Sequence, residues 1–413
     1  MLFRSENVLK SGYGAGLQKS SSESLGQLTI NGNGSLTAIG AGKSAGIGGK
    51  YGGKGTNITI SSGTVIANGG DSGAGIGGGY NGSAYNITVN GGNVIATGGV
   101  NGAGIGGGDG SGNGGAASNI TIRGGTVTAN GGKNAAGIGG GYFQTGSSIK
   151  ICGGSVKAAA GTNANAFGGG YGKKAFTPTL DDGTARVYLL KIENTNNEPI
   201  SIDGQNYLPV NHSSYYINDT ALYAYLSANE HTVKVGSNKT AAYKYSSKKN
   251  KFMKVPSAED FEFIPPDGTF YDGNPKTAVV RPAAGVNGMG NITVKYYDES
   301  NTEVTAPLNI GTYTVRITVE EGTDHLASVG ELEIGKFSIT KEIPDITLPS
   351  AAAITYGEPL ASSALTSGWS WVDDTVIPTV SNSGYAAKMS VTDYDRYALS
   401  GSISSKGKSF LHI

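Results

Sequence analysis

Several residue types are scarce in this chain of 413 residues, and each scarcity narrows what the protein can be. A single cysteine, Cys152, excludes any internal disulfide. No run reaches 18 apolar residues, so we expect no membrane insertion. Charged residues make up only 15% of the chain and the formal net charge is zero, which gives no signal for a nucleic-acid partner. The first ten residues lack the apolar core of a signal peptide.

Proline is absent from the first 177 residues, and all 13 prolines lie at or after Pro178. Glycine has the opposite distribution, because 52 of the 69 glycines lie between Gly12 and Gly172. A shift this sharp marks a change of architecture close to residue 176.

The glycine-rich part repeats one motif, which reads GAGIGGG at 73–79 and again at 102–108. Variants of it carry an apolar anchor at intervals of 29 to 33 residues. The anchors are Leu17, Ile47, Ile76, Ile105, Ile138 and Phe167. An interval of this length, repeated this often, is typical of a solenoid.

Each repeat also contains a segment that alternates apolar and polar residues, such as Ile58-Thr59-Ile60. After a glycine turn, Val65 and Ala67 repeat the spacing of two. Period-two alternation predicts strands with one buried face, and the anchor motif adds a third short strand. The sequence therefore predicts an all-β fold that begins with a parallel β-helix, wound to the right. We expect Asn57, Asn86 and Asn119 to hydrogen-bond along its axis.

The GAGIGGG repeats resemble glycine-rich repeats of large exported surface proteins of gut bacteria. That resemblance covers residues 12–176 and implies an extracellular or bacterial cell-surface location. It implies no particular ligand.

Residues 177–256 contain short alternating segments such as VYLLKIE and HTVKV, which predict a small antiparallel β-sandwich. The segments that follow resemble the MBG-type bacterial immunoglobulin-like repeat. They are FYDGNPK at 270–276, VKYYD at 294–298, AP at 306–307, GTYTVRITV at 311–319 and FSIT at 337–340. A second copy is indicated by ITYGEPL at 354–360, WSW at 369–371 and VTDYDRY at 391–397, and it lacks the closing strand of the family.

These observations divide the chain into five parts. They are an N-terminal tail at 1–11, a β-solenoid at 12–176, a small β-sandwich at 177–256, an MBG-type domain at 257–341 and an incomplete MBG-like domain at 342–413. We expect the chain to be a fragment of a longer protein, with the tail truncated.

Motifs that suggest enzymes have a simpler explanation in the repeat. Gly73 to Gly78 match the dinucleotide pattern GxGxxG, but the pattern recurs with the structural period and no helix follows it. The four histidines lie outside the solenoid and suggest no catalytic triad. The solenoid has three acidic residues, Glu23, Asp71 and Asp109, too few for a lyase, glycosidase or calcium site. We therefore predict no catalytic residues, no metal, no cofactor and no enzymatic activity.

One set of residues remains after the repeat is explained. Tyr51, Tyr80, Tyr142 and Tyr171 each lie four positions after an anchor, and Asp109 takes that position in the remaining coil. Stacked tyrosines can bind sugar rings, so these five residues are the candidate ligand-binding site. The alternative is an aromatic ladder with a purely structural role.

The solenoid also carries ten lysines and arginines against those three acids. This excess of seven positive charges favours acidic glycans or association with a cell-wall polymer, unless it only keeps the rod soluble. The sequence thus predicts an adhesin-like surface protein that binds polysaccharide. Two alternatives stay open: a structural spacer, and a fragment of a polysaccharide lyase or glycosidase without its catalytic part.

Overall fold

The computed structural model describes most of the chain. The residues outside the described part are 1, 4, 20–25, 112–113, 184, 194–197, 207–220, 238–239, 343–348, 380–384, 390–402, 405–407 and 413. The predicted VTDYDRY segment at 391–397 lies among them. The chain forms two compact units, Met1–Val255 and Pro256–Ile413.

The first unit begins with a solenoid of three parallel sheets, which we name A, B and C. Each sheet has six strands. Sheet A consists of Leu2–Phe3, Leu28–Gly32, Gly55–Ile60, Ala84–Val89, Ala117–Ile122 and Ile149–Ile151. Sheet B consists of Glu6–Lys10, Ser35–Ile39, Thr64–Asn68, Asn93–Thr97, Thr126–Asn130 and Ser155–Ala159. Sheet C consists of Leu17–Gln18, Ile47–Gly48, Ile76–Gly77, Ile105–Gly106, Ile138–Gly139 and Phe167–Gly168.

Equivalent residues of successive coils pair with each other, which confirms the repeat predicted from the sequence. Ile58 pairs with Ile87 and Ile87 with Ile120 in sheet A. The anchors Ile76, Ile105 and Ile138 pair in the same way in sheet C. The register holds across the longer repeat, so the extra residues after Asp109 leave the strands undisturbed.

The core of the solenoid is a column of stacked aliphatic side chains. Ile60, Ile87 and Ile105 are fully buried, as is Val94. Full burial of one such side chain stabilises the fold by about 1.5–3 kcal/mol. A single coil cannot bury its apolar side chains, so each coil becomes stable only when it stacks on its neighbours.

Asparagines connect the coils along one edge, as expected. Asn57, Asn86 and Asn119 have φ values of 56°, 58° and 53°, a region that asparagine tolerates better than most residues. Asn86 Nδ2 donates to Asn57 Oδ1 at 2.9 Å, and Asn119 Nδ2 donates to Asn86 Oδ1 at 2.6 Å.

The solenoid extends beyond both of its predicted boundaries. Glu6–Lys10, which we assigned to the tail, pairs in parallel with Ser35–Ile39. At the other end, Thr179 exchanges backbone hydrogen bonds with Ile149 and Ile151. Val187 is 1% exposed and belongs to the solenoid core. The ends differ from the prediction because these segments lack the glycine motif but still supply strand edges and apolar side chains. The right-handed winding stays a prediction.

A small antiparallel sheet covers the C-terminal end of the solenoid. Its strands are Tyr188–Glu193 and Ala221–Leu226. The Tyr225 ring meets the Phe167 ring edge-on, with 5.2 Å between centroids, and burial raises the pKa of Tyr225 to about 12. The Tyr223 amide donates to Ser155 Oγ at 3.1 Å. We name the two strands the end cap, because terminal coils need a cover over their apolar face.

The rest of the first unit is an antiparallel sheet of five strands. Their order is Gln205–Asn206, Ile200–Ile202, Glu230–Val235, Ala241–Ser246 and Lys251–Lys254.

The second unit is also made of antiparallel sheets, which agrees with the all-β prediction. A pair of strands is followed by a sheet of four and then by another sheet of four. The pair is Phe261–Ile264 with Val279–Pro282. The next sheet has the order Glu303–Val304, Ile292–Tyr297, Gly311–Val319 and Leu332–Ile339. The last has the order Trp369–Trp371, Ala386–Met389, Lys408–His412 and Ile403–Ser404. Short 3₁₀ helices lie at Ala258–Asp260 and Leu360–Ser362.

The glycines that end the strands of sheet C, such as Gly77, Gly106 and Gly139, have positive φ values and form what we name the glycine corner. This corner generates the first prediction. Gly106 has a φ of +144°, and a Cβ atom there would overlap the Gly139 carbonyl of the next coil. Gly106→Ala should therefore lower the free energy of unfolding of the first unit by at least about 3 kcal/mol. Gly52 has a φ of +67° but open space around it, so Gly52→Ala should cost only about 1–2 kcal/mol. Urea denaturation followed by circular dichroism measures both, and equal losses would contradict the steric explanation.

The end cap generates the second prediction. Tyr225→Ala removes the ring that covers Phe167, so the last coil should open more often while the middle coils stay closed. Hydrogen exchange should accelerate in peptides covering 149–176 but remain unchanged in peptides covering 58–89. Tyr13→Ala is the control, because Tyr13 is 99% exposed. Uniform acceleration along the whole solenoid would show that the end cap has no local role.

Candidate functional site

The five candidate residues occupy one corner of the solenoid, just after the strands of sheet C. Backbone hydrogen bonds hold four of them in the same way, each to a carbonyl 37 or 41 residues earlier in the sequence. The donor and acceptor pairs are Tyr80 to Lys43 at 2.7 Å, Asp109 to Ser72 at 2.8 Å, Tyr142 to Asn101 at 3.0 Å and Tyr171 to Asn134 at 2.9 Å. The candidate residues therefore stack in register along the solenoid.

The tyrosines form two groups along this corner. Tyr51 and Tyr80 stack with centroids 5.3 Å apart and an angle of 19° between rings, and we name them the first aromatic pair. Tyr142 and Tyr171 lie 5.6 Å apart at 45°. Phe143 joins them, at 4.0 Å from Tyr142 and 5.3 Å from Tyr171. We name these three residues the second aromatic cluster.

The rings are accessible to a ligand. Tyr51 is 59% exposed, Tyr171 40% and Phe143 44%, while Tyr80 and Tyr142 are half-buried. The repeat pattern does not single out Phe143, because only one coil has a second aromatic residue at this position. Its backbone φ of +59° is unusual for a bulky side chain.

Lys43 adds a positive charge to the first aromatic pair. Its Nζ lies 4.4 Å from the centroid of Tyr80 and 5.6 Å from that of Tyr51. A cation at this distance from an exposed ring contributes about 0.5–1 kcal/mol. In the sequence, Lys43 is one of the ten positive charges of the solenoid. Its position beside the tyrosines depends on the backbone hydrogen bond between Tyr80 and Lys43, which are 37 residues apart.

Asp109 lies beneath the surface rather than on it. It is only 4% exposed. Its Oδ1 accepts hydrogen bonds from the Ser111 amide at 2.9 Å and the Ser111 hydroxyl at 2.6 Å. Its Oδ2 accepts from Asn101 Nδ2 at 2.9 Å. The carboxylate thus fixes the start of the inserted loop, and it separates the first aromatic pair from the second aromatic cluster.

Asp109 also ends a second ladder of asparagines, which we did not predict. Asn134 Nδ2 donates to Asn101 Oδ1 at 3.0 Å, and Asn163 Nδ2 donates to Asn134 Oδ1 at 3.2 Å. The same spacing places Ser72 and Lys43 in the preceding coils. The signal was present in the sequence as an asparagine three residues before each of the last three GIGGG or AFGGG motifs.

Exposed lysines lie close in sequence to both aromatic groups. Lys50 and Lys54 flank Tyr51, and Lys173 and Lys174 follow Tyr171. Asp71 is exposed, whereas Glu23 lies outside the described residues. Lys43 is the charged residue with a described contact to the rings, whereas Asp109 keeps its carboxylate beneath the surface.

A serine, a histidine and an aspartate meet in the five-stranded region, although the sequence suggested no triad. His231 Nδ1 lies 2.6 Å from Asp203 Oδ2, and His231 Nε2 lies 3.2 Å from Ser227 Oγ. However, Nε2 is also 3.1 Å from the Ser227 carbonyl oxygen, which can only accept a hydrogen bond. A proton on Nε2 would therefore be donated to that carbonyl, and the hydroxyl would then lack a base. We interpret the contacts of Ser227, His231 and Asp203 as a hydrogen-bonded link between two hairpin turns, and we name this link the lock.

The lock generates the third prediction. Burial acts to raise the pKa of Asp203, but hydrogen bonds from His231 and the Thr232 amide outweigh it and lower the pKa. A lowered pKa means that the stabilisation is complete above the unfolded value of about 4 and is lost as the pH falls through the folded value. Asp203→Asn should thus destabilise the first unit at pH 7, and the difference should shrink towards pH 2.

Urea denaturation between pH 7 and pH 2 measures this difference. Asp71→Asn is the control, since Asp71 is exposed on the solenoid. If Asp203→Asn lowered the free energy of unfolding by the same amount at every pH, the ionised carboxylate would have no role.

The described residues contain neither a membrane-spanning helix nor a cluster of metal ligands. None of the described helices has the length and apolar character to cross a bilayer. Within the same residues, no cluster of three or more histidine, cysteine, aspartate or glutamate side chains could hold a metal ion.

Comparison with known proteins agrees with the coil geometry. No curated protein and no solved structure matches the chain significantly. Four segments match the Beta helix repeat family, at residues 28–53, 58–80, 87–109 and 120–142. Each matched segment begins in sheet A, runs through sheet B and ends at or just beyond the strand of sheet C. Over these four coils the chain is similar to Beta helix repeat proteins, and its fold there is a parallel β-solenoid.

Proposed function

We propose that this chain is a non-enzymatic, adhesin-like protein of the bacterial cell surface or the secreted fraction, and that it binds carbohydrate through the solenoid corner. The observation that carries the proposal is the first aromatic pair with Lys43 beside it. Flat aromatic faces next to a cation suit the apolar faces and the polar or acidic groups of sugars. The second aromatic cluster repeats the aromatic part of this arrangement on the same corner.

Several features support a binding role over an enzymatic one. The corner repeats along a rigid rod, and repeated weak sites gain affinity through avidity. Asp109, the carboxylate at the tyrosine position of the repeat, is committed to Ser111 and Asn101. Glycosidases and lyases instead need carboxylates that reach the sugar. Tyr51, Tyr80, Tyr142 and Tyr171 therefore stay in the proposed site, and Asp109 becomes its support.

The proposal extends to the remaining modules. The antiparallel sheets of the second unit, with their resemblance to MBG-type repeats, would serve as a spacer.

A structural rod without a ligand is the second candidate. The contacts between the rings favour this candidate, because an aromatic ladder can stabilise a solenoid without binding any ligand. A fragment of a carbohydrate-active enzyme is the third candidate, and it would need a catalytic part outside this chain.

The fourth prediction separates these candidates. The full chain should bind polysaccharides on a broad glycan array, and Tyr80→Ala should weaken binding about tenfold, or about 1.4 kcal/mol. Tyr85→Ala is the matched control, because Tyr85 lies in the same coil but in sheet A. Tyr80→Phe should retain most of the binding, since it keeps the ring face.

Three results would contradict the proposal. A blank array would favour the structural rod. Equal losses for Tyr80→Ala and Tyr85→Ala would exclude the corner as the site. New reducing ends or unsaturated products after incubation with polysaccharides would favour the enzyme.

A further inference from the structure

The two aromatic groups have a fixed separation along the solenoid. Tyr80 and Tyr142 occupy equivalent positions, with the coil of Asp109 between them. Neighbouring coils lie about 4.8 Å apart, so the two positions are about 10 Å apart along the axis. That distance is close to the length of a disaccharide in an extended chain.

The corner between the two groups carries no aromatic ring. Asp109 is buried there, and Gly107, Gly108 and Gly110 surround it in the sequence. The inserted loop also begins here, at Gly110. A ligand that contacts both aromatic groups must therefore run along the axis past the start of this loop, whereas a ligand across the axis reaches only one group.

Charge defines the ligand further. Lys43 contacts the first aromatic pair, and the exposed Lys50 and Lys54 lie close to that pair in the sequence. The exposed Lys173 and Lys174 directly follow the second aromatic cluster in the sequence. Within residues 51–171, Asp109 is buried, and the one exposed acidic residue is Asp71, next to Ser72. The five lysines therefore outnumber the exposed carboxylates around the two groups. Both ends of the interval therefore attract anions.

From these three observations we infer that the ligand is a linear anionic polysaccharide that runs parallel to the solenoid axis. One sugar contacts the first aromatic pair, and a sugar two units further along contacts the second aromatic cluster. The lysines at each end bind the acidic groups. The inference rests on the proposed function and adds the ligand class, the ligand orientation and the bivalent mode of binding.

Bivalent binding predicts a dependence on chain length. Titration calorimetry of the full chain would use linear anionic probes of defined length, from disaccharide to octasaccharide. Suitable probes are polygalacturonate, alginate and hyaluronan oligomers, with cello-oligosaccharides as the neutral series. For at least one anionic series, affinity should rise at least about tenfold between disaccharide and hexasaccharide. Raising the salt concentration should weaken the binding.

Variants locate the two contacts. Tyr142→Ala should weaken hexasaccharide binding about tenfold, to the level of a short probe, and should change disaccharide binding less than about twofold. Tyr80→Ala should behave in the same way, and Tyr80→Ala combined with Tyr142→Ala should remove detectable binding. Tyr85→Ala is again the control. Circular dichroism spectra identical to that of the parent protein would show that the variants are folded.

The outcomes separate this inference from the proposed function. Preference for neutral oligomers would overturn the inference, and so would affinity independent of chain length or loss confined to one tyrosine. The carbohydrate-binding proposal would survive each of these results. Absence of binding to every probe and to the glycan array would overturn both.

Discussion

The close approach of backbones at the glycine corner is the constraint on which the solenoid depends. Gly78, Gly107 and Gly140 each donate a backbone hydrogen bond to the next coil, at 2.8 to 2.9 Å. The glycines before them have φ values between +138° and +145°, which a residue with a Cβ atom adopts only with strain. Because each coil pairs through these glycines, every other position of the repeat is placed at the coil spacing. Both asparagine ladders and the aromatic groups follow from that regularity.

A repeated fold of this kind leaves two apolar ends that the repeat itself cannot cover. At the C-terminal end, Val187 enters the core and Tyr225 covers Phe167. The residues that do this come from segments with no glycine motif and with a different strand pairing. The antiparallel part of the first unit is therefore continuous with the solenoid in packing, although it differs from it in sequence.

The sequence predicted the solenoid well because its signals are local and repeated. Alternation around Ile58 and the interval between Ile76 and Ile105 are sufficient to place strands and register. The contacts that were missed join residues whose proximity depends on the whole coil. Lys43 reaches Tyr80 from 37 positions away, and Asp109 was included in the candidate site because its position in the repeat is that of the tyrosines. Its burial depends on Ser111 and Asn101, which donate hydrogen bonds to its carboxylate. The meeting of Ser227, His231 and Asp203 depends on two hairpins and had no spacing signal at all.

The glycine corner also determines where large side chains can project from this surface. Inside the corner there is no room for side chains, because a Cβ atom on Gly77 or Gly106 would overlap the adjacent carbonyl. Tyr80, Tyr142 and Tyr171 directly follow the last glycine of the motif, and in the coil of Tyr51 the exposed Lys50 takes the place of that glycine. The backbone of the coils sets the spacing of rings at this position, so the rings lie in register without further contacts. Substituting one ring by Asp109 removes one contact without disturbing the coil, so the pattern of contacts along the rod can vary while the fold stays the same.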